Sequence, residues 1–312
     1  MRRGVRRLSR GLVVEGGCKL QCKIDYPEPK GATPPRRLPL PPRVTVGEPP
    51  FRPSPPCECR SAATAATDCL APSMLLLDLT LPSPAENLAL DEALLEDAER
   101  GLGPGRLLRL WESSDWAVVL GRSSRHQDEV QCAAAAAEGI PVLRRASGGG
   151  TVLIGPGCLL YTVLLPYADD PSLQMIEVAH RHVLERIRQA LAPLVPGVEL
   201  QGTSDLVLAG RKFSGNSLRC RRAHLLYHGT LLYDFPLERV GRILGTPARQ
   251  PAYRAQRSHV DFLCNLPLTA AALRAALIRV WEARELGRDW PTEATRQLVA
   301  ERYSQASWNL RL

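Results

Sequence analysis

From Met74 onward, short apolar runs alternate with longer amphipathic stretches, and their spacing sets most of the predicted elements. The run from Met74 to Thr80 opens as a strand. Ser83-Pro84-Ala85-Glu86 has the form of a capping box with proline at the first helical position. Leu90, Leu94 and Ala98 then recur at four-residue spacing and Gly101 supplies a stop, so a helix is predicted from this box to about Arg100. Leu107 to Trp111 and Trp116 to Leu120 read as a strand and a buried strand around the polar turn Glu112-Ser113-Ser114-Asp115. An alanine run over residues 129 to 139 is predicted helical and closes at Gly139, with a strand from Pro141 to Arg145 after it. Thr151 to Ile154 and Leu159 to Leu165 are two more apolar strands around the turn Gly155-Pro156-Gly157. A long helix from Ser172 to Leu191 carries Ile176, Val183, Ile187 and Leu191 on one side. Asp205 to Leu208, the turn Ala209-Gly210 and Arg211 to Ser214 form a hairpin, Leu225 to Tyr233 is a strand, and helices are predicted near 237–244, 269–286 and 292–304. Strands fill the middle, helices bracket them, and no strict βαβ alternation is present. The pattern predicts an α+β domain with a mixed, largely antiparallel central sheet flanked by helices.

Composition divides the 312 residues into two parts. Residues 1–73 hold 13 of the 27 prolines and a net charge of +7 from 13 basic and 6 acidic residues, which leaves +1 for residues 74–312. The head cannot bury enough apolar surface to repay ordering and is expected to be disordered. Met74 precedes the first strand-like run, so the head is expected not to be translated; the alternative is a transit peptide, which the basic, acid-free stretch Arg2 to Arg10 suggests and the later Asp25 and Glu28 spoil. A nearly neutral body argues against a nucleic-acid partner, and the lack of an unbroken apolar run of about 18 residues argues against a membrane span. Cys18 to Cys22 and Cys57 to Cys59 lack zinc-ligand spacing and nearby histidine partners, and the scattered cysteines 132, 158, 220 and 264 are expected to be reduced in a cytoplasmic protein.

Between residue 31 and the C-terminus the only lysine is Lys212, in Gly210-Arg211-Lys212-Phe213-Ser214-Gly215. Arginine serves wherever a generic surface cation will do, which marks Lys212 as a position needing a compact ammonium that can reach a carboxylate or phosphate oxygen. The plain alternative is a surface lysine in a hairpin. Arg144-Arg145-Ala146-Ser147-Gly148-Gly149-Gly150-Thr151 joins two strands through three glycines, with arginine and serine donors beside them. It has the outline of an anion cradle, and a flexible glycine hairpin is the alternative. It fits neither the phosphate loop nor the dinucleotide fingerprint. Arg145, next to Arg144 along the strand, is expected to point to the opposite side.

The run Arg144 to Thr151 resembles the Arg-Arg-x-Ser-Gly-Gly-Gly signature of the lipoate-protein ligase A family, within the biotin and lipoyl protein ligase group. Further matches follow in the family's order: Asn87 to Glu92, Val118 to Arg122, Gly202 to Val207, Gly210 to Asn216, and His228 to Leu232. The resemblance covers roughly residues 74–312 and implies the fold of that group's catalytic domain. It also implies ATP, lipoate and Mg2+ as ligands, lipoyl-AMP as intermediate, and transfer of the lipoyl group to a lysine of a lipoyl domain. The acceptors it implies are the lipoyl domains of 2-oxoacid dehydrogenases or the glycine cleavage H protein. Lys212 would contact the acyl carbonyl and adenylate phosphate, and Asp205 would hold magnesium or orient the incoming amine. Arg144, Ser147, Gly148, Gly149, Gly150 and Thr151 would line the acyl and phosphate cradle, with Gly215 beside Lys212 and with Gly121 and Arg122 near the acyl tunnel. His228 is read as a strand histidine outside the catalytic set.

Two departures from the family pattern stand out. The C-terminal helices are expected to belong to the catalytic domain, without an accessory domain, so a separate accessory subunit is an expectation, alongside a monomeric catalytic chain. Related octanoyltransferases use a cysteine nucleophile shortly before the lysine motif, whereas residues 197–203 contain none. Cys158 and Cys220 are the nearest candidates, both better read as structural. Octanoyl transfer from acyl carrier protein and a non-catalytic lipoate-binding module are the rival readings.

Overall fold

The computed structural model describes residues 74–247, 249–285 and 289–312. The expectations for residues 1–73 lie outside the described residues. Eleven strands are present among these: β1 Leu75–Asp78, β2 Leu107–Trp111, β3 Ala117–Leu120, β4 Val142–Arg144, β5 Val152–Ile154, β6 Cys158–Pro166, β7 Val198–Gln201, β8 Asp205–Leu208, β9 Arg211–Cys220, β10 His224–Leu232 and β11 Arg284–Glu285. Eight form one sheet in the order β11-β1-β2-β6-β10-β9-β8-β7, and β4-β3-β5 form a second, smaller one. The pairs β11/β1, β1/β2 and β3/β4 are parallel and the others antiparallel, so the sheets are mixed and mostly antiparallel, as the pattern predicted.

The helix Pro84–Arg100 begins and ends where its signals stand. Ser83 accepts from the Glu86 amide, the Glu86 carboxylate accepts from the Ser83 amide, and Gly101 takes the left-handed conformation at φ 71°. The alanine-run helix is instead broken into His126–Glu129 and Cys132–Ala137, because Val130 leaves to bridge Leu244. The helix predicted to reach 286 stops at Val280: Glu282 adopts φ 50°, and the chain turns into β11. The strand β7 and the short helix His259–Phe262 had no clear apolar signature.

Alternation along the central strands separates two faces of the large sheet. Leu159, Tyr161, Val163 and Leu165 of β6, with Leu225, Tyr227 and Leu231 of β10, pack beneath the helices Ile176–Leu191 and Ala270–Val280 through Val183, Ile187, Leu273 and Leu277. The opposite face receives the helix Pro84–Arg100 and the small sheet. There Leu160 and Leu232 join Leu88, Trp111, Val119 and Ile154, while Leu164 and Leu226 join Leu90, Leu94 and Ala98. The functional site lies on this second face.

Candidate active site

Two rows of side chains run across the strands of the second face. One row is Arg109, Thr162, His228 and Ser217, each the Cα partner of the next through β2, β6, β10 and β9. Asp91, from the helix above, gathers it: Arg109 Nη1 donates to Oδ1 at 2.5 Å, Thr162 Oγ1 to Oδ2 at 2.7 Å, and His228 Nδ1 lies 3.3 Å from Oδ2. Burial would push the Asp91 carboxyl up, but Arg109, His228 and the Thr162 hydroxyl outweigh it and hold the group below the usual carboxylate range.

The second row is the floor of a cavity. Trp111 pairs with Leu160 and Leu160 with Thr230; the Gly215 amide donates to Thr230 Oγ1 at 3.3 Å, and Gly215 pairs with Asp205. From Trp111 to Gly215 this crosses three strand spacings, roughly 14 Å. Val119, Val152 and Ile154 of the small sheet, with Leu88, roof the inner end of this chamber, whose volume is about 160 Å³. Trp111 Nε1 is buried there without a hydrogen-bond partner. A wider chamber of about 480 Å³ adjoins it, lined by residues that include Glu129, Arg249, Arg254, His259 and Phe262. Lys212, Asp205, Gly150, Thr151 and Gly215 line both chambers.

At this join Lys212 Nζ lies 2.7 Å from Asp205 Oδ1, and Tyr253 Oη donates to Asp205 Oδ2 at 2.7 Å. A β-bulge aims the lysine. Pairing runs Asp205 to Gly215 and Leu206 to Ser214, then shifts, so that Val207 meets Lys212 and Phe213 is the extra residue. In a regular ladder, with Phe213 paired in phase, Lys212 would face away from Asp205, since side chains alternate along a strand. Phe213 is fully buried with Leu206 in the core on the other face.

The structure gathers Lys212, Asp205, Gly149, Gly150, Thr151 and Gly215 at the chambers and leaves the other expected residues outside them. Arg144 is a correction: it is fully buried away from both chambers. Its Nη1 donates to the carbonyls of Gly121 and Ser124, and its Nε to those of Trp308 and Asn309. Arg145 is the arginine of the pair that faces the smaller chamber, where burial pushes its guanidinium down to about 10. It donates to the carbonyls of Val119, Gly148 and Gly150 and to Ser147 Oγ, and so folds the glycine loop around itself. Ser147 and Gly148 hold this loop from behind, the Gly148 carbonyl accepting from Ser217 Oγ at 2.8 Å. Gly121 and Arg122 line neither chamber. A Cβ on Gly121 would lie 1.8 Å from the Gly149 carbonyl oxygen, so glycine there permits the close approach of β3 to the loop. The Arg122 amide donates to the Ser147 carbonyl, and its side chain is exposed.

Sequence reasoning passed over Tyr253, Trp111, Asp91 and His228. Asp91 and His228 stand inside recognised motifs, yet only register places them on one row. No described cysteine lines either chamber. Cys158 is buried, its thiol pushed up by burial, and Cys220 sits exposed at the end of β9.

A chamber of about 160 Å³ and a wider one of about 480 Å³ meet at a lysine–carboxylate pair, each lined by apolar and polar side chains together. The chain belongs to the lipoyl protein ligase A/B catalytic domain family, whose model matches residues 83–279, and it is an enzyme of the lipoate-protein ligase type. A protein of Aeropyrum pernix whose name places it with lipoate-protein ligase A is 30% identical over 250 residues, 74% of this chain and 90% of that one. A Bacillus subtilis lipoate-protein ligase is 25% identical over 253 residues, 76% and 73% of the two chains. Among solved structures, the fold is shared with a bi-partite lipoate protein ligase from Thermoplasma acidophilum at TM-score 0.64 and 23% identity, covering 76% of this chain and 96% of that one. It is shared too with a lipoate-protein ligase A bound with ATP, at TM-score 0.61, 24% identity and coverages of 76% and 98%.

Proposed function

We propose that this enzyme forms or uses lipoyl-adenylate and passes the lipoyl group to a lysine of a lipoyl domain. The observation that carries this reading is the position of Lys212, with its Asp205 partner, at the join of the two chambers. A lipoyl chain lying along the Trp111–Leu160–Thr230 floor would present its carboxyl carbon beside Gly215 and Lys212, with the adenylate in the wider chamber. The Lys212 ammonium then faces the carbonyl and α-phosphate oxygens, where negative charge grows as a nucleophile attacks. In activation, the lipoate carboxylate attacks the α-phosphorus of ATP and pyrophosphate leaves; in transfer, the acceptor amine attacks the acyl carbon, AMP leaves, and the amine proton must go to a base. Asp205 is the carboxylate nearest Lys212, held in orientation by Tyr253.

Asp205 and Glu129 are the carboxylates lining the wider chamber. No cluster of three or more histidine, cysteine, aspartate or glutamate side chains fit for a metal is found among the described residues. That donor set suits a magnesium ion carried in on phosphate oxygens, with Asp205 as a protein ligand, rather than a resident ion.

A Thermoplasma acidophilum relative, 24% identical, is named lipoate-protein ligase A subunit 1, and the bi-partite ligase is described together with its E2 lipoyl domain. The E2 lipoyl domain in that description supports a lipoyl domain as acceptor, and the words bi-partite and subunit 1 support a separate accessory subunit. Octanoyl transfer through a cysteine thioester is disfavoured because no described cysteine lines a chamber.

The test is mass spectrometry of an apo lipoyl domain incubated with the full chain, in one reaction with MgATP and lipoate and in another with preformed lipoyl-adenylate. Modification in both identifies a complete ligase, and modification with the adenylate alone identifies a transferase that needs a partner for activation. Modification in neither overturns the proposal, and octanoyl-acyl carrier protein becomes the donor to try.

A further inference from the structure

His228 joins three parts of the molecule. It lies on β10 in the polar row, it lines the acyl-sized chamber, and its ring stands between Asp91 and Ser147, with Nε2 at 2.5 Å from Ser147 Oγ and Nδ1 at 3.3 Å from Asp91 Oδ2. Donor supply fixes the direction of these bonds for a neutral ring. Arg145 Nε can only donate, and it does so to Ser147 Oγ at 3.0 Å. The hydroxyl hydrogen of Ser147 is therefore free for His228 Nε2, which leaves Nδ1–H for the Asp91 carboxylate.

Serine, histidine and aspartate in this order have the connectivity of a nucleophilic triad. Burial decides against that role. Ser147 is 2% exposed, lines neither chamber, and borders only a void of about 10 Å³ behind the glycine loop. No substrate carbonyl can reach its oxygen. What the array does reach is the loop, since the Arg145 guanidinium that Ser147 holds also binds the carbonyls of Gly148 and Gly150. Gly150 lines both chambers beside Lys212.

We propose that His228 is a positioning residue: acting through Ser147 and Arg145, it fixes the glycine loop against the helix-borne Asp91 and so sets where the Gly149 and Gly150 backbone meets the acyl and phosphate oxygens. The catalytic consequence rests on the lipoyl-adenylate reading, while the mechanical link does not. Other charged groups around the ring are Arg109 behind Asp91 and, across the small void, Glu92 and Arg219; Tyr303 also borders the void. Glu92 is engaged by Arg302 at 2.5 Å and by Tyr303 at 2.9 Å, which leaves the ring to Asp91 and Ser147.

The two ring nitrogens can be tested separately. A glutamine side chain places its terminal amide near Nε2 and keeps an acceptor for Ser147, whereas asparagine places its amide near Nδ1 and keeps only the donor to Asp91. Amide hydrogen exchange over residues 147–151 is measured on the ligand-free full chain for the wild type, His228→Gln, His228→Asn, Ser147→Ala and the Asn/Ala double variant, with melting curves as the control for folding. The expected result is exchange about tenfold faster in His228→Asn and in Ser147→Ala, no further gain in the double variant, and His228→Gln within about twofold of wild type. Equal behaviour of the Gln and Asn variants, additive singles, or unchanged exchange in Ser147→Ala overturns the link. With preformed lipoyl-adenylate, His228→Asn and Ser147→Ala should lose kcat about tenfold or more while KM moves little, as expected for misplaced catalytic backbone, and His228→Gln should stay close to the wild-type rate. An unmodified acceptor with wild-type enzyme would count against the lipoyl-adenylate reading and leave the exchange result to decide the role of His228.

Discussion

Gly215 and Lys212 are an odd number of residues apart on β9 and still share one face of it, because the bulge at Phe213 restores the phase between them. A Cβ built on Gly215 would lie 3.0 Å from both Cε and Nζ of Lys212. The absent side chain is thus the space in which the ammonium sits. Gly215→Ala should fold with a melting temperature close to wild type, since the group it meets is the end of a flexible side chain. It should lower transfer from preformed lipoyl-adenylate by about tenfold, because the lysine is pushed off its position.

Lys212→Arg is expected to be more damaging. A planar guanidinium needs width that the Gly215 face does not offer, and it cannot replace a point charge between Asp205 and the substrate oxygens. Steady-state kinetics with preformed lipoyl-adenylate should show kcat/KM down by about 100-fold, the loss typical of removing one pre-organised charge stabiliser, with the melting temperature little changed. Transfer at the wild-type rate would remove Lys212 from the mechanism.

Gly121→Ala probes the back of the glycine loop without touching either chamber. The methyl group would overlap the Gly149 carbonyl at 1.8 Å, and that obstacle is backbone on both sides. Overpacking of this kind costs about 1–3 kcal/mol, which corresponds to a fall in melting temperature of roughly 2–12 °C for a domain of this size. Calorimetry checks the fall, and activity should drop with it because the loop is displaced.

Trp111→Ala addresses the inner end of the acyl-sized chamber. Removing the indole also removes a buried N–H that has no partner, so the loss of stability should sit at the low end of the roughly 3–5 kcal/mol usual for a buried tryptophan. The chamber becomes deeper, and competition between acyl donors of different length should shift toward longer or bulkier chains. Unchanged selectivity would place the acyl chain elsewhere.

Glu99 gives the fold a defined acid sensitivity. Burial opposes its ionisation, but the amides of Ala223 and Arg222 and the His224 ring bind the carboxylate and hold its pKa below the ordinary 4.5. A carboxylate depressed in the folded state contributes stability that is full above its unfolded value and is lost as pH falls through the folded one. Urea midpoints measured from pH 7 to pH 3 should therefore separate wild type from Glu99→Gln at neutral pH and converge below about pH 4.5. A constant gap at all pH values would refute this linkage.

Local signals were legible in the sequence and tertiary ones were not. The capping box at Ser83 and the stop at Gly101 act within a few residues, so the helix ends could be read directly. The isolated lysine and the carboxylate seven residues before it were legible as a pair, and the geometry joins them. Which of Arg144 and Arg145 would face the chamber depended on how the small sheet leans on the large one, which a three-residue strand does not encode. The bulge at Phe213 is a property of register between β8 and β9 and has no local signature. Glu282, whose left-handed backbone ends the helix before β11, is not a residue type that announces a stop.

The acyl-sized chamber is bounded by two sheets rather than enclosed by one. On the proposed function, the reactive end at Lys212 and Gly215 would be built on the large sheet, and depth would be gauged at Trp111 and under the roof of Val119, Val152 and Ile154. The parts that would choose a chain and the parts that would transfer it are then separately mutable. Substitutions at the roof can retune which acyl group fits while the reacting atoms stay aligned, which gives this fold room to diversify its cargo without rebuilding its chemistry.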